Sequence, residues 1–118
     1  MNEKEVYKMC GFREDYDPND RIIGGDTVEF QNKKYYVSTV DLGLNHRFGE
    51  GEPLYWETMI FKQNEDGTMD WRDFYCDRYS SKEDAQKKHK EIVQAFKDGK
   101  AKLNEDYFEI EGIYYENN

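Results

Sequence analysis

Apolar and polar positions alternate most clearly between residues 35 and 62. Over 35–42 the chain reads YYVSTVDL, with Tyr36, Ser38, Val40 and Leu42 on one face and Tyr35, Val37, Thr39 and Asp41 on the other. Over 54–62 it reads LYWETMIFK, with Leu54, Trp56, Thr58 and Ile60 opposed to Tyr55, Glu57, Met59 and Phe61. A period of two in runs rich in aromatic and β-branched residues predicts strands. Both faces of each run carry apolar groups, so the pair is expected at the centre of a sheet, partly covered on both sides. A short strand over 27–30 leads through a turn at Gln31-Asn32-Lys33 into the first run. A third strand is expected within 71–79, after the turn Asn64-Glu65-Asp66-Gly67, with Phe74 and Cys76 facing opposite to Tyr75 and Tyr79.

The period then changes. SSKEDAQKKHKEIVQAFKDGK predicts a helix over 82–98, with Ser80 or Ser81 as N-cap, Glu83 and Asp84 in the first turn and Gly99 as the stop. Ala85, His89, Ile92, Val93 and Phe96 form one stripe, and Lys87, Lys90, Gln94 and Lys97 lie opposite. That stripe is expected to lie across one face of the sheet. The tail has β-prone runs at 107–110 and 113–115, broken at Gly112, and offers an edge strand whose carboxylates discourage further pairing. Residues 1–21 are dense in charge around the turn Asp17-Pro18-Asn19-Asp20; they predict irregular structure, with room for a short helix or strand near 6–9. The whole reads as a single α+β domain over 1–118: an antiparallel sheet of four to five strands with one amphipathic helix packed on one face.

Composition changes that picture in one respect. Aromatics make up 16% of the chain, ten of them tyrosine, so the core rests on rings rather than on leucine and valine. The net charge is −9 and is unevenly spread. Residues 35–79 hold nine acids against four bases, 80–103 hold seven bases against four acids, and 104–118 hold five acids and no base. A negative field argues against direct binding to nucleic acid or an anionic membrane. It permits either a solvated face or docking on a basic surface. Cys10 and Cys76 match no metal or redox spacing, and no apolar run approaches the length of a membrane span. Free thiols in a cytoplasmic setting are expected.

Motif chemistry is sparse. His46 and Arg47 sit in a glycine-rich loop over 43–53, with Glu50 and Glu52 beside them, but no HExxH or second nearby histidine accompanies them. Gly43, Gly49 and Gly51 do not fit a phosphate loop; they are expected to make tight turns that let Leu44 and Phe48 tuck back against the sheet. His89, inside the helix stripe, reads as a boundary histidine bonded to a tyrosine hydroxyl or a carbonyl. The segments EDYDPND, EDGTMDWRDFYCD and EDYFEIEGIYYEN interleave carboxylates with rings and could imitate a phosphate backbone with stacked bases.

One stretch resembles a family. VSTVDLGLNHRFGEGEPLYWETMIF, followed by RYSSKEDAQKKH, is similar to small uncharacterised proteins of bacteriophages and integrated elements that carry a VSTV-LGL-H-FG-G-PL-ETM-F stretch and a Y-S/T helix start. The matching positions are Val37 to Val40, Leu42 to Leu44, His46, Phe48, Gly49, Gly51, Pro53, Leu54, Glu57 to Met59 and Phe61, then Tyr79, Ser80, Ala85 and His89. They span about half the chain. The resemblance implies a phage-like origin in a bacterial host and raises His46, Glu57 and His89 as a cluster.

Charge, rings and resemblance together lead to an expectation of a non-enzymatic interaction protein without cofactor or metal. Its partner would be a host protein with a basic surface, such as a nuclease or a CRISPR-type effector, inhibited in an anti-CRISPR-like way. The contact residues expected are Asp66, Asp70, Trp71, Asp73, Tyr75, Glu109, Glu111 and Tyr114, with His46, Arg47, Glu50 and Glu52 in the loop. A homodimer is left open. The alternatives are a nucleotide or small-molecule binder using the 43–53 loop, and a metal-dependent hydrolase using both histidines.

Overall fold

A computed structural model describes residues 1–113. Four strands form one antiparallel sheet in chain order: β1 (Ile22–Phe30), β2 (Lys33–Asp41), β3 (Trp56–Gln63) and β4 (Met69–Tyr79). Two helices, α1 (Glu3–Met9) and α2 (Lys82–Lys97), and a separate hairpin of β5 (Ala101–Asn104) and β6 (Tyr107–Ile110) complete the α+β domain. A 3-10 turn over Pro18–Asp20 begins where the Asp17 side chain accepts from the Asn19 N–H. Among these elements no helix is long and apolar enough to cross a membrane.

The central pair β2–β3 lies where the alternation placed it, with Thr39 opposite Thr58 and Val37 opposite Ile60. Gln31 and Asn32 both have positive φ, giving the two-residue turn that matches strand twist. Among the described residues only one face of the sheet is covered, not two. Helix α2, capped by the Ser81 side chain on the Asp84 N–H, buries Ala85, His89, Ile92, Ala95 and Phe96 against it. The β5–β6 hairpin adds Phe108 and Ile110 to the same core. Rings dominate there: Phe108 meets Tyr35 at 4.9 Å, Phe96 at 5.0 Å and Phe30 at 5.1 Å between centroids, all edge-on. Each such pair contributes about 0.5–1.5 kcal/mol beyond the area it buries.

Four expectations need correction. The tail does not extend the large sheet through 107–110; it pairs with β5 instead, and the run at 113–115 lies largely outside the described residues. Strand β1 starts at Ile22, running through Gly24-Gly25, because glycine is what the packing there needs. A Cβ on Gly24 would stand 2.7 Å from His89 Nε2, and one on Gly25 would collide with the Tyr36 hydroxyl. Phe74 does not face away from Tyr75: the register shifts between Ile60↔Tyr75 and Phe61↔Asp73, so Phe74 is the extra residue of a bulge. Both rings are buried in consequence. Lastly, residues 1–21 are not simply irregular, since α1 and the aromatic trio Tyr7, Phe12 and Tyr16 pack there.

Candidate functional site

The covered face holds a continuous polar chain. Thr39 and Thr58, cross-strand partners with no exposure, lie 2.6 Å apart through their hydroxyls. Tyr79 donates to Thr58 at 3.1 Å, Thr39 lies 2.7 Å from His89 Nδ1, and His89 Nε2 lies 2.6 Å from the Asp26 carboxylate. With a neutral imidazole only one direction satisfies every member: Tyr79 to Thr58, Thr58 to Thr39, Thr39 to Nδ1, and the Nε2 proton to Asp26. Asp26, His89 and Thr39 are ordered like a hydrolytic triad, but the Thr39 hydroxyl is sealed from solvent and no substrate can reach it. The chain satisfies buried polar groups and locks α2 to the sheet.

The other face is bare among the described residues. Alternate residues of the same strands, Tyr36, Ser38 and Val40 of β2 and Met59 and Phe61 of β3, are only half-buried. Ile22 (57% exposed) closes one end and Trp71 (73%) the other, the indole edge-on to Phe61 at 5.2 Å. Between them runs a groove of about 340 Å³, with Arg21 and Glu57 on its wall. Glu57 is neutralised by Arg78 across the strand pair, Nε to Oε2 at 2.9 Å. That hydrogen bond holds the guanidinium of Arg78 above its usual pKa. The Cys76 thiol, between them on the same face, is pushed up to about 12, first by burial and then by the Glu57 charge, so it remains a thiol.

The rim is acidic. Asp66 sits in the β3–β4 turn, and its carboxylate is held below the usual range by hydrogen bonds from Thr68. Asp70 accepts from the Arg72 N–H, and Asp73 is exposed opposite Phe61. Among the described residues none of these three has a cation within 4 Å.

The loop between β2 and β3 is tied to itself. Asn45 Oδ1 accepts from the N–H groups of Arg47 and Leu54, both at 2.9 Å, and the His46 N–H donates to the Leu54 carbonyl. His46 Nδ1 bonds the Leu44 carbonyl at 2.8 Å, and the Arg47 Nε bonds the Glu52 carbonyl. His46 and Arg47 therefore both serve loop geometry. Phe48 does not tuck back; it stands 97% exposed at the tip. Gly43 must be glycine, since its φ is +74° and a Cβ would strike Phe12.

A second cleft of about 410 Å³ lies where the N-terminal region meets the start of α2. Arg13 fills its centre, bonding Asp41 at 2.5 and 3.0 Å and lying 4.6 Å from the Trp56 ring centroid. Its contact with Asp15 lowers that carboxyl's pKa. Arg13, Asp15 and Asp41 are thus engaged with one another.

The structure gathers part of the expected set. Asp66, Asp70, Trp71 and Asp73 share the β3–β4 hairpin beside the bare face, whereas Glu109 and Glu111 lie on or after β6, in the other layer. Tyr75 has no exposure and packs on Tyr107, so it presents nothing to a partner. Tyr114 lies outside the described residues. Glu50 and Glu52 are exposed beside Phe48. His46, Glu57 and His89 are not a cluster: one is in the loop, one on the bare face, one on the covered face. Among the described residues no group of histidine, cysteine and carboxylates is placed to hold a metal. Tyr36, Met59, Phe61 and Ile22 were not singled out beforehand, although strand parity puts the first three on one face.

Comparison with known proteins finds no matching family model, no matching curated protein and no matching solved structure.

Proposed function

We propose that this is a non-enzymatic interaction protein that docks through the bare sheet face on a basic surface of a host protein, as an inhibitor of phage or mobile-element origin would. The observation that carries this reading is the bare face itself: an aromatic groove ending in exposed Trp71, beside carboxylates that no cation among the described residues neutralises. Exposed aromatic anchors with a polar rim are the usual anatomy of a docking surface. Asp66, Asp70 and Asp73 would steer a basic partner and Trp71 would anchor it. A nuclease or CRISPR-type effector is the partner class whose basic, nucleic-acid-binding groove fits this chemistry. The cytoplasm of the host is where it would act.

The test is capture of a partner from bacterial lysate at 0.05 and 0.5 M NaCl. Because the screening length falls well below about 10 Å at the higher salt, capture should drop steeply. Salt-insensitive capture would remove the electrostatic part of this reading.

A further inference from the structure

Two exposed apolar features belong together. Phe48 is a fully exposed ring at the tip of a loop whose two arms are held together by Asn45 and His46, so the stem that carries it is already ordered. The groove between Ile22, Tyr36, Met59, Phe61 and Trp71 is apolar, open and about 340 Å³, roomy enough for one phenyl ring. At the Ile22 end of the groove, away from the acidic rim beside Trp71, the charges also match. Arg21 lines the groove with no carboxylate within 4 Å among the described residues, while exposed Glu50 and Glu52 follow Phe48 in the loop. We propose that the groove is occupied by Phe48 of a second copy of this chain, reciprocally, in a two-fold dimer whose Glu50 and Glu52 face the partner copy's arginine.

The proposal rests on the bare face being the docking surface, and it adds that the free protein covers that surface with itself. A partner must then displace Phe48 to dock. A loop and a groove make a contact smaller than the roughly 800 Å² per side of a standard interface, so the dimer is weak and readily opened. Its salt response is opposite to that of partner docking. Two chains of net charge −9 repel, and added salt screens that repulsion, so the dimer tightens where a complex with a basic partner loosens.

Sedimentation equilibrium on the full chain, from about 10 to 500 μM and at 0.05 and 0.5 M NaCl, tests it. Dimerisation is expected near about 100 μM, stronger at the higher salt. Phe48→Ser and Trp71→Ala should each weaken it about tenfold or more, the loss expected for removing a docked ring. An equimolar mixture of the two variants should recover part of the association, since the Phe48 of one still finds an intact groove in the other. A monomer throughout the range, a Phe48→Ser protein that dimerises like the wild type, or a mixture with no recovery would each overturn the proposal. A chain that stays monomeric yet captures a partner in a salt-sensitive way would sink self-association while leaving the docking reading intact.

Discussion

The two faces of the sheet are built from alternate residues of the same strands, yet they place their polar groups in different ways. On the covered face Thr39, Thr58, Tyr79 and His89 satisfy one another in a single chain, and the apolar remainder is closed by α2 and the β5–β6 hairpin. On the bare face one cross-strand ion pair, Glu57–Arg78, neutralises charge without closing anything, and Tyr36, Met59, Phe61 and Trp71 are left facing water. Removing apolar surface from water stabilises by about 25 cal/mol per Å². A face that forgoes that gain along several aromatic positions is better explained by an occupant than by folding. The polar residues of the covered face therefore serve stability, and those of the bare face would, on the proposed reading, serve recognition.

Substitutions on the two faces separate these roles. The largest stability effect is expected for Phe108→Ala, which removes the ring at the centre of the aromatic cluster and should cost about 3–5 kcal/mol in urea unfolding. A cost under about 1 kcal/mol would mean the hairpin does not close the core. His89→Ala breaks the polar chain and strands the Thr39 hydroxyl; about 1–3 kcal/mol should be lost, with capture of a partner by the folded fraction unchanged. Trp71→Ala is the mirror image. It should shift stability by less than about 0.5 kcal/mol and reduce capture about tenfold or more. The smallest effect is a matter of rate. With the Cys76 thiol pushed up to about 12 and Cys10 exposed, iodoacetamide at pH 8 should label one cysteine in the native chain and two in denaturant. Rapid double labelling of the native chain would mean the Glu57–Cys76 corner opens.

Much of the covered face was legible in the sequence. Period two over 35–42 and 54–62 placed Thr39 and Thr58 on the face shared with Val37 and Ile60, and the helix stripe put His89 among apolar residues. Four features were not legible, each for a physical reason. The bulge at Phe74 shifts parity by one residue, and no residue type announces it, so Tyr75 was assigned to a partner rather than to the core. Gly24 and Gly25 read as breaks because close approach by His89 and Tyr36, which needs glycine, depends on residues far along the chain. The direction of Phe48 depends on Asn45 and Leu54 bonding across the loop, which glycine spacing alone does not reveal. The bare face went unnoticed because a sequence shows that both faces of a strand are apolar, not that only one has a cover.

The claim that matters most is that the bare face is the working surface. The direct measurement is parallel capture from bacterial lysate by the wild type, by Trp71→Ala, by Asp70→Asn with Asp73→Asn, and by Glu109→Gln with Glu111→Gln, each at 0.05 and 0.5 M NaCl. The account predicts one partner held by the wild type and the Glu109/Glu111 variant at low salt, lost with Trp71→Ala, and weakened by both the Asp70/Asp73 change and high salt. Equal capture by all four proteins at both salts would contradict it.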